Sequence, residues 1–260
     1  LKENKNTVKH FISSSATGIY ANNYKEIQDE FSEIKNQSFL ANVVTKWEKK
    51  VDELSKLNII VSKVRIGIVL SVDGGFLEKQ ILFNNLRFRP LINKGKQNIS
   101  WIHIDDVVRI FYFLVENSLE GVYNATSPNF STNLELTDKI ENLRKKYLIN
   151  ISTPSLFASI PFKILRIGDF FKEVVMFNSK VIPKKLVDKG FVFKFESLIW
   201  LVSILRQFVL SENFCFNFTS AIPAKYRLGT LINSIASIAP WSIHLVVLLF
   251  DLVTPTFVSL

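Results

Sequence analysis

Residues 10–23 read HFISSSATGIYANN, an apolar run that ends in Ser13, Ser14 and Ser15 and passes through Gly18 to Tyr20. A serine hydroxyl both donates and accepts a hydrogen bond, so it can follow a carbonyl oxygen as it becomes an alkoxide. The alternative is a serine-rich strand end satisfied by backbone. A second cluster, SWIHIDD, holds Ser100, His103, Asp105 and Asp106 within seven residues. A hydrolase triad needs its members to converge from separate elements, which argues against that reading here. Three histidines (His10, His103, His244) and one cysteine, Cys215, never approach zinc-ligand spacing. The nine glycines form neither G-x-G-x-x-G nor a Walker loop, the turns that bring backbone up to a pyrophosphate. Either the chain binds no dinucleotide, or the binding half lies upstream of Leu1.

The elements that must position these residues follow from hydropathy. Val8 to Ile12 reads as a buried strand running into a site loop. In SFLANVVTKWEKKVDELSK, Leu40, Val43, Val44, Trp47, Val51 and Leu54 recur at helical spacing behind a Ser38 cap. A strand from Val61 to Leu70 ends in an Asp-Gly-Gly turn, and strand, helix, strand at this spacing predicts a crossover unit of a parallel sheet. After an irregular basic stretch from Phe83 to Lys96, SWIH gives a short strand and Asp105 or Asp106 caps a helix. GVYNATS supplies another strand, and Thr132 with Glu135 forms a capping box. Beyond Pro154 the pattern is mostly helical, with IPKKLVDKGFVFKF as a short helix, a Gly190 stop and a small strand.

Composition narrows the class. At 260 residues and 48% hydrophobic, the chain can bury a real core. Its net charge of +9 admits an anionic partner. The lysines alternate with Asp and Glu, however, and no aromatic-basic interleaving marks a nucleic-acid site. One cysteine excludes an internal disulfide framework and fits a reducing, cytoplasmic compartment. The charged N-terminus has no signal-peptide core. From Ser211 onward the only charges are Glu212, Lys225, Arg227 and Asp251. Residues 229–250 are long enough to span a bilayer, so this tail is a membrane segment, a packed helical extension or an out-of-frame tail.

Six ordered blocks carry a resemblance: FISSSATGIY, VVTKWEKKVDEL, VRIGIVLSVDGGFLEK, GKQNISWIHIDDVVRI, LEGVYNATSPNFSTNLELT and KVIPKKLVDKGFVFKF. Together, over roughly residues 1–207, they resemble an atypical branch of the extended short-chain dehydrogenase/reductases, the NAD(P)-dependent sugar-epimerase-like family. The resemblance implies an α/β fold: the C-terminal part of a Rossmann-like parallel sheet in residues 1–150, a small mainly helical domain in 151–210 and an apolar extension in 211–260. It also implies that the glycine turn and first strands precede Leu1. The expected cofactor is NADP or NAD, the partner a small-molecule substrate such as a nucleotide-sugar or carbonyl compound.

The resemblance further assigns roles. Ser15 meets the reacting carbonyl or hydroxyl, while Ser13 and Ser14 line the cofactor cleft. Ile68 and Val69 pass beside the nicotinamide. Arg65 sits in or beside the cleft, or in a buried ion pair, and His103 faces substrate. The family's usual chemistry pairs a tyrosine acid/base with a lysine four residues later, whose charge lowers the phenol's pKa. No tyrosine here has that lysine, and matching the helix through Glu48 puts Leu40 and Val44 at the two positions. Tyr20 either replaces the missing acid, with Lys25 or Lys46 nearby, or shapes the pocket. The glycine-rich approach to GKQ is also altered, appearing as RFRPLINKGKQ. Two further readings stay open: a nucleotide-binding or interaction protein without catalysis, and a fragment with no function of its own.

Overall fold

Strand β1 (His10–Ala16) opens the architecture and runs into a 3-10 turn at Thr17–Ile19. The short β2 (Ile27–Gln28) follows, then helix α1 (Phe39–Asp52). Ser38 caps α1 as the sequence predicts, its Oγ accepting from the Ala41 N–H at 3.2 Å. The predicted strand over 61–70 is two strands, β3 (Ile60–Ile66) and β4 (Ile68–Ser71), divided at Gly67. The basic stretch expected to be irregular contains β5 (Phe88–Ile92); β6 (Asn98–Ile99) and β7 (Trp101–His103) come next. Helix α2 (Ile104–Glu116), β8 (Gly121–Ala125), β9 (Ser131–Thr132) and α3 (Asn133–Arg144) complete this run. Last are β10 (Ile149–Thr153), β11 (Lys180–Val181) and α4 (Lys184–Asp188).

This computed structural model describes residues 8–20, 25–35, 38–71, 76–77, 80, 88–144, 149–153 and 178–201. All of them precede a division of the chain after Leu205. The tail from 211 and the expected 229–250 span lie outside the described residues. Among those described, no helix is long and apolar enough to cross a membrane. β10 pairs with β5 and runs across the boundary expected after residue 150.

The central sheet has the order β1-β3-β8, all parallel, with α1 as the crossover between its first two strands. Alternation sends successive side chains to opposite faces. On one face Val64, Tyr123 and Ala125 pack with Val107, Ile110 and Leu114 of α2. On the other, the rows Ser13–Lys63 and Ser15–Arg65–Asn124 lie toward α1. The buried stripe of α1 is Ala41, Val44, Glu48 and Val51. It is rotated from the predicted one: Val43 is exposed and Trp47 half-buried, because Glu48 takes the inward position.

Two local corrections have clear causes. The N-cap of α2 is His103, whose Nδ1 accepts from the Asp105 N–H at 3.1 Å, and not Asp105 or Asp106, which occupy the first turn. Acidic residues there suit the helix dipole without capping it. The small strand expected after Gly190 is absent, since the main chain at 191–195 is held by side chains; a strand, β11, instead precedes α4 and pairs with β2. The capping box is as predicted, Thr132 N–H donating to Glu135 Oε2 at 2.8 Å and Glu135 N–H to Thr132 Oγ1 at 3.1 Å. Gly190, at φ +83°, ends α4's turn in the left-handed region.

Gly67 is where the strand changes partners. Its N–H still reaches Ala125 O of β8 at 3.0 Å, while the next N–H, of Ile68, turns to Ser100 O at 2.8 Å. β4 then pairs with β7. A Cβ at residue 67 would meet Ser100 O at 2.4 Å, so only glycine lets the two backbones approach. Gly67→Ala is expected to destabilise the fold by about 1–3 kcal/mol through overpacking. Gly18→Ala, where an added Cβ meets nothing within 4 Å, should stay within about 0.5 kcal/mol. Urea unfolding of the two variants beside wild type checks the contrast.

Candidate functional site

In a parallel α/β sheet, ligands bind beyond the carboxyl ends of the strands. Here those ends fall in one row, Ala16, Ile66 and Ala125. One residue before them lies the row Ser15–Arg65–Asn124, facing α1. Glu48 of α1 reaches down to it. Ser15 Oγ donates to Glu48 Oε1 at 2.6 Å. Arg65 grips the same carboxylate with two bonds, Nε to Oε1 and Nη2 to Oε2, both 2.8 Å. Its remaining arm, Nη1, donates to the Tyr20 hydroxyl at 2.9 Å, and Tyr20 in turn donates to Asn124 Oδ1 at 2.8 Å. Lys63, two residues before Arg65, bonds Asp52 at 2.7 Å and lies 3.9 Å from Glu48.

The network is buried throughout: Ser15 is 2% exposed, Glu48 6%, Arg65 5%, and Tyr20 and Asn124 0%. Burial pushes the Glu48 carboxyl up, but the hydrogen bonds and charges of Arg65, with those of Ser15 and Lys63, outweigh it and hold the carboxyl below its ordinary value. Burial works against the Arg65 charge too, and Glu48 overcomes it, so the guanidinium is held firmly charged. At Tyr20 the balance goes the other way: burial raises the phenol, and Arg65 only partly offsets it. Tyr20 thus keeps its proton. Its ring packs with Ile19, Val44 and Val181.

The structure therefore brings Ser15, Tyr20 and Arg65 together, with Arg65 in the geometry of a buried ion pair. Ser13 is buried and donates to its neighbour's carbonyl, Ser14 O, at 3.1 Å; Ser14 is half-buried on the other face. Ile68 and Val69 are half-buried on opposite faces of β4, Ile68 against Leu70 and Trp101, Val69 against the α2 core. His103 lies apart from Ser15, at the end of β7, between Phe195 and Trp200. Glu48, Asn124, Phe195 and Trp200 were not singled out as functional residues by the sequence. Glu48 had a legible signal: a carboxylate on the inner face of an amphipathic helix, with Lys63 and Arg65 two apart in a mostly apolar strand.

A Ser–His contact away from this network is structural. His10 Nε2 lies 2.7 Å from Ser62 Oγ, and that hydroxyl donates to Leu119 O at 2.5 Å. The serine's proton is committed to the carbonyl, so the imidazole is the donor and cannot act as its base. Among the described residues no cluster of His, Cys, Asp and Glu is arranged to hold a metal ion.

Known proteins share both the sequence and this fold. No protein-family model matches the chain. An epimerase family protein of Arabidopsis thaliana, the chloroplastic SDR39U1 homolog, is 31% identical over 186 residues, 71% of this chain and 51% of the relative. One from Mycobacterium leprae is 30% identical over 187 residues, 72% of this chain and 59% of the relative. Over nearly three quarters of its length the chain is similar to epimerase family proteins. It spans little more than half the length of these two relatives. The fold of human epimerase family protein SDR39U1, crystallised with NADPH, superposes with a TM-score of 0.64 at 24% identity, covering 76% of this chain and 65% of that one. The UDP-N-acetylglucosamine 4-epimerase of Methanobrevibacter ruminantium, in complex with UDP-N-acetylmuramic acid, gives 0.58 at 15% identity over 78% and 62%. The fold is thus the Rossmann-like α/β type of these structures, with the buried Glu48–Arg65 pair set under the end of its first described strand.

Two outcomes follow for this site. Removing Glu48 leaves a buried guanidinium with one partner, so Glu48→Ala should destabilise by about 3–5 kcal/mol, whereas Ser15→Ala, losing one hydrogen bond to a charged group, should lose about 1.5–3 kcal/mol. Denaturant unfolding distinguishes the two. Second, burial lowers the pKa of both His10 and His103. A group neutral in the fold and protonated in the unfolded chain contributes stability above its unfolded value and loses it as pH falls. The Tm should therefore decline between pH 7.5 and about 5.5, through the ordinary histidine value near 6.5. His10→Gln, which keeps the donor to Ser62, should flatten part of that decline.

Proposed function

We propose that the chain forms part of an NAD(P)-dependent epimerase- or dehydratase-like oxidoreductase in which proton transfer does not run through a tyrosine–lysine pair. One observation carries the reading: the Ser15 hydroxyl at the strand end is held by a carboxylate that Arg65 grips with two bonds, while Leu40 and Val44 take the helix positions of the usual pair. Supporting it, the relatives are named epimerase family proteins and one of the similar solved structures contains NADPH.

The described residues suit the nicotinamide end of such a cofactor. Ile68 and Val69 offer an apolar edge with main-chain groups for the carboxamide, and Ser13 and Ser14 add hydroxyls beside it. Space is open at Gly18, at the turn after β1. When bound, the dinucleotide gives or takes a hydride. Ser15, whose one proton goes to Glu48, presents lone pairs and holds the substrate through a hydroxyl proton. Arg65 acts through Glu48 rather than on the substrate. His103 contributes a second polar contact from β7. The substrate is a small molecule of the nucleotide-sugar or carbonyl class.

A second reading, a nucleotide-binding protein without catalysis, is favoured by Tyr20, whose proton and lone pair are both taken inside the protein. The natural full-length protein decides between them. Calorimetric titration with NADPH and NADH should give saturable binding of at least one. A panel of carbonyl compounds and nucleotide sugars should then reveal turnover that drops roughly a hundredfold in Ser15→Ala. Binding without any turnover supports the second reading, and failure to bind either nucleotide overturns both.

A further inference from the structure

After Gly190 the chain runs from Phe191 to Trp200 over the start of α2, and side chains hold its backbone. Asp106, fully buried, accepts the N–H groups of Lys194 (3.0 Å) and Phe195 (2.9 Å) and the Arg109 guanidinium (2.6 Å). Arg109 also donates to Val192 O at 2.8 Å. Ser127 Oγ and Asn129 Nδ2 both donate to Glu196 O, at 2.8 and 3.0 Å. The strap so fixed puts the Phe195 ring 3.8 Å and the Trp200 ring 4.4 Å from the His103 imidazole, centroid to centroid.

The histidine's hydrogen bonding determines what it can offer. Its Nδ1 accepts from the Asp105 N–H, so in the neutral ring the proton is on Nε2. Nε2–H has no acceptor among the described residues. Beside the ring, the buried indole N–H groups of Trp101 and Trp200 also have no acceptor. Two unsatisfied buried donors beside an imidazole N–H that is itself not sealed in the core mark a place where an acceptor would be taken up, and the imidazole is the donor a ligand can reach.

We infer that Phe195 and Trp200, pinned by Asp106, are positioning residues that hold His103 as a fixed Nε2–H donor to an acceptor oxygen of the ligand. Such a donor selects a carbonyl, hydroxyl or phosphoryl oxygen and rejects an N–H in the same place. The charged groups facing the ring are Asp105, Asp106 and Lys194. Burial lowers the ring's pKa most; the two carboxylates oppose this and Lys194 adds to it. Burial prevails, so the donor stays neutral at physiological pH. The inference rests on the nucleotide-dependent reading only for the identity of the ligand.

Histidine-selective 15N correlation spectra of the full-length protein, recorded from pH 5 to 8, test it. His103 should show the Nε2–H tautomer alone, titrating below the ordinary histidine range. In Phe195→Leu the tautomers should mix and the titration move toward the ordinary value. A wild-type ring carrying its proton on Nδ1, or exchanging freely between tautomers, overturns the inference even if the variant fails to fold. The spectra are then repeated with NADPH and UDP-N-acetylglucosamine as probes. Saturable downfield movement of the Nε2–H signal supports the ligand contact, while calorimetric binding of both with no movement overturns it. If NADPH does not bind at all, the nucleotide-dependent reading fails and the tautomer spectra still decide this one.

Discussion

A guanidinium and a carboxylate enclosed between a helix and a sheet set the geometry of this chain. Charges taken out of water need good mutual geometry and partners for their remaining hydrogen-bonding capacity. Glu48 and Arg65 meet both conditions: two parallel bonds join them, Ser15 completes the carboxylate, and Tyr20 takes the last arm of the guanidinium. The pair therefore fixes more than itself. It sets the rotation of α1, which turns Glu48 inward and leaves Phe39 and Val43 exposed. It also ties β1 to β3 through a row of polar side chains, on a sheet face that apolar residues would otherwise fill.

From that row the constraint passes to the last described segment. Asn124, which takes the Tyr20 proton, donates through Nδ2 to Ile182 O at 3.0 Å, and its own N–H goes to Glu30 at 2.8 Å. Glu30 also accepts from the Lys185 N–H. Thr126 donates to Val181 O, and Ser100 both donates to Ser179 O and accepts from the Val181 N–H. A segment with little regular structure is thereby attached to the carboxyl edge of the sheet. Gly67 makes room for this, since the switch from β8 to β7 brings Ser100 against the strand.

The sequence revealed the elements whose signals are local. Ser38, the Thr132–Glu135 box and the Gly190 stop are each decided within a few residues, and the crossover from β1 to β3 follows from strand, helix and strand spacing. The pieces it misread depend on distant contacts. The inner face of α1 is chosen by a charge on another strand, and the α2 cap by a histidine whose ring is fixed from residues 195 and 200. The 191–195 segment has strand-like residues, but its N–H groups bond to Asp106 in place of a ladder. At the site, serine and histidine were legible as residue types; the direction of each proton was not, because it is set by Glu48 and by the Asp105 main chain.

Those directions divide the chemistry between two edges. Ser15 and Tyr20 both give their protons inward, to Glu48 and Asn124, in groups that burial and charge hold in those states. Toward a ligand, Ser15 can then offer only lone pairs, and Tyr20, which also accepts from Arg65, offers nothing. His103 is the reverse: its lone pair is taken by Asp105 N–H, leaving a proton to offer from β7. A reacting carbon flanked by a hydroxyl on the β1 side and an acceptor oxygen on the β7 side would satisfy both edges without either side chain changing protonation. Ser15 gains this character from Arg65 rather than from its own environment, since without the guanidinium Glu48 would be a buried carboxyl pushed toward its neutral, proton-donating form.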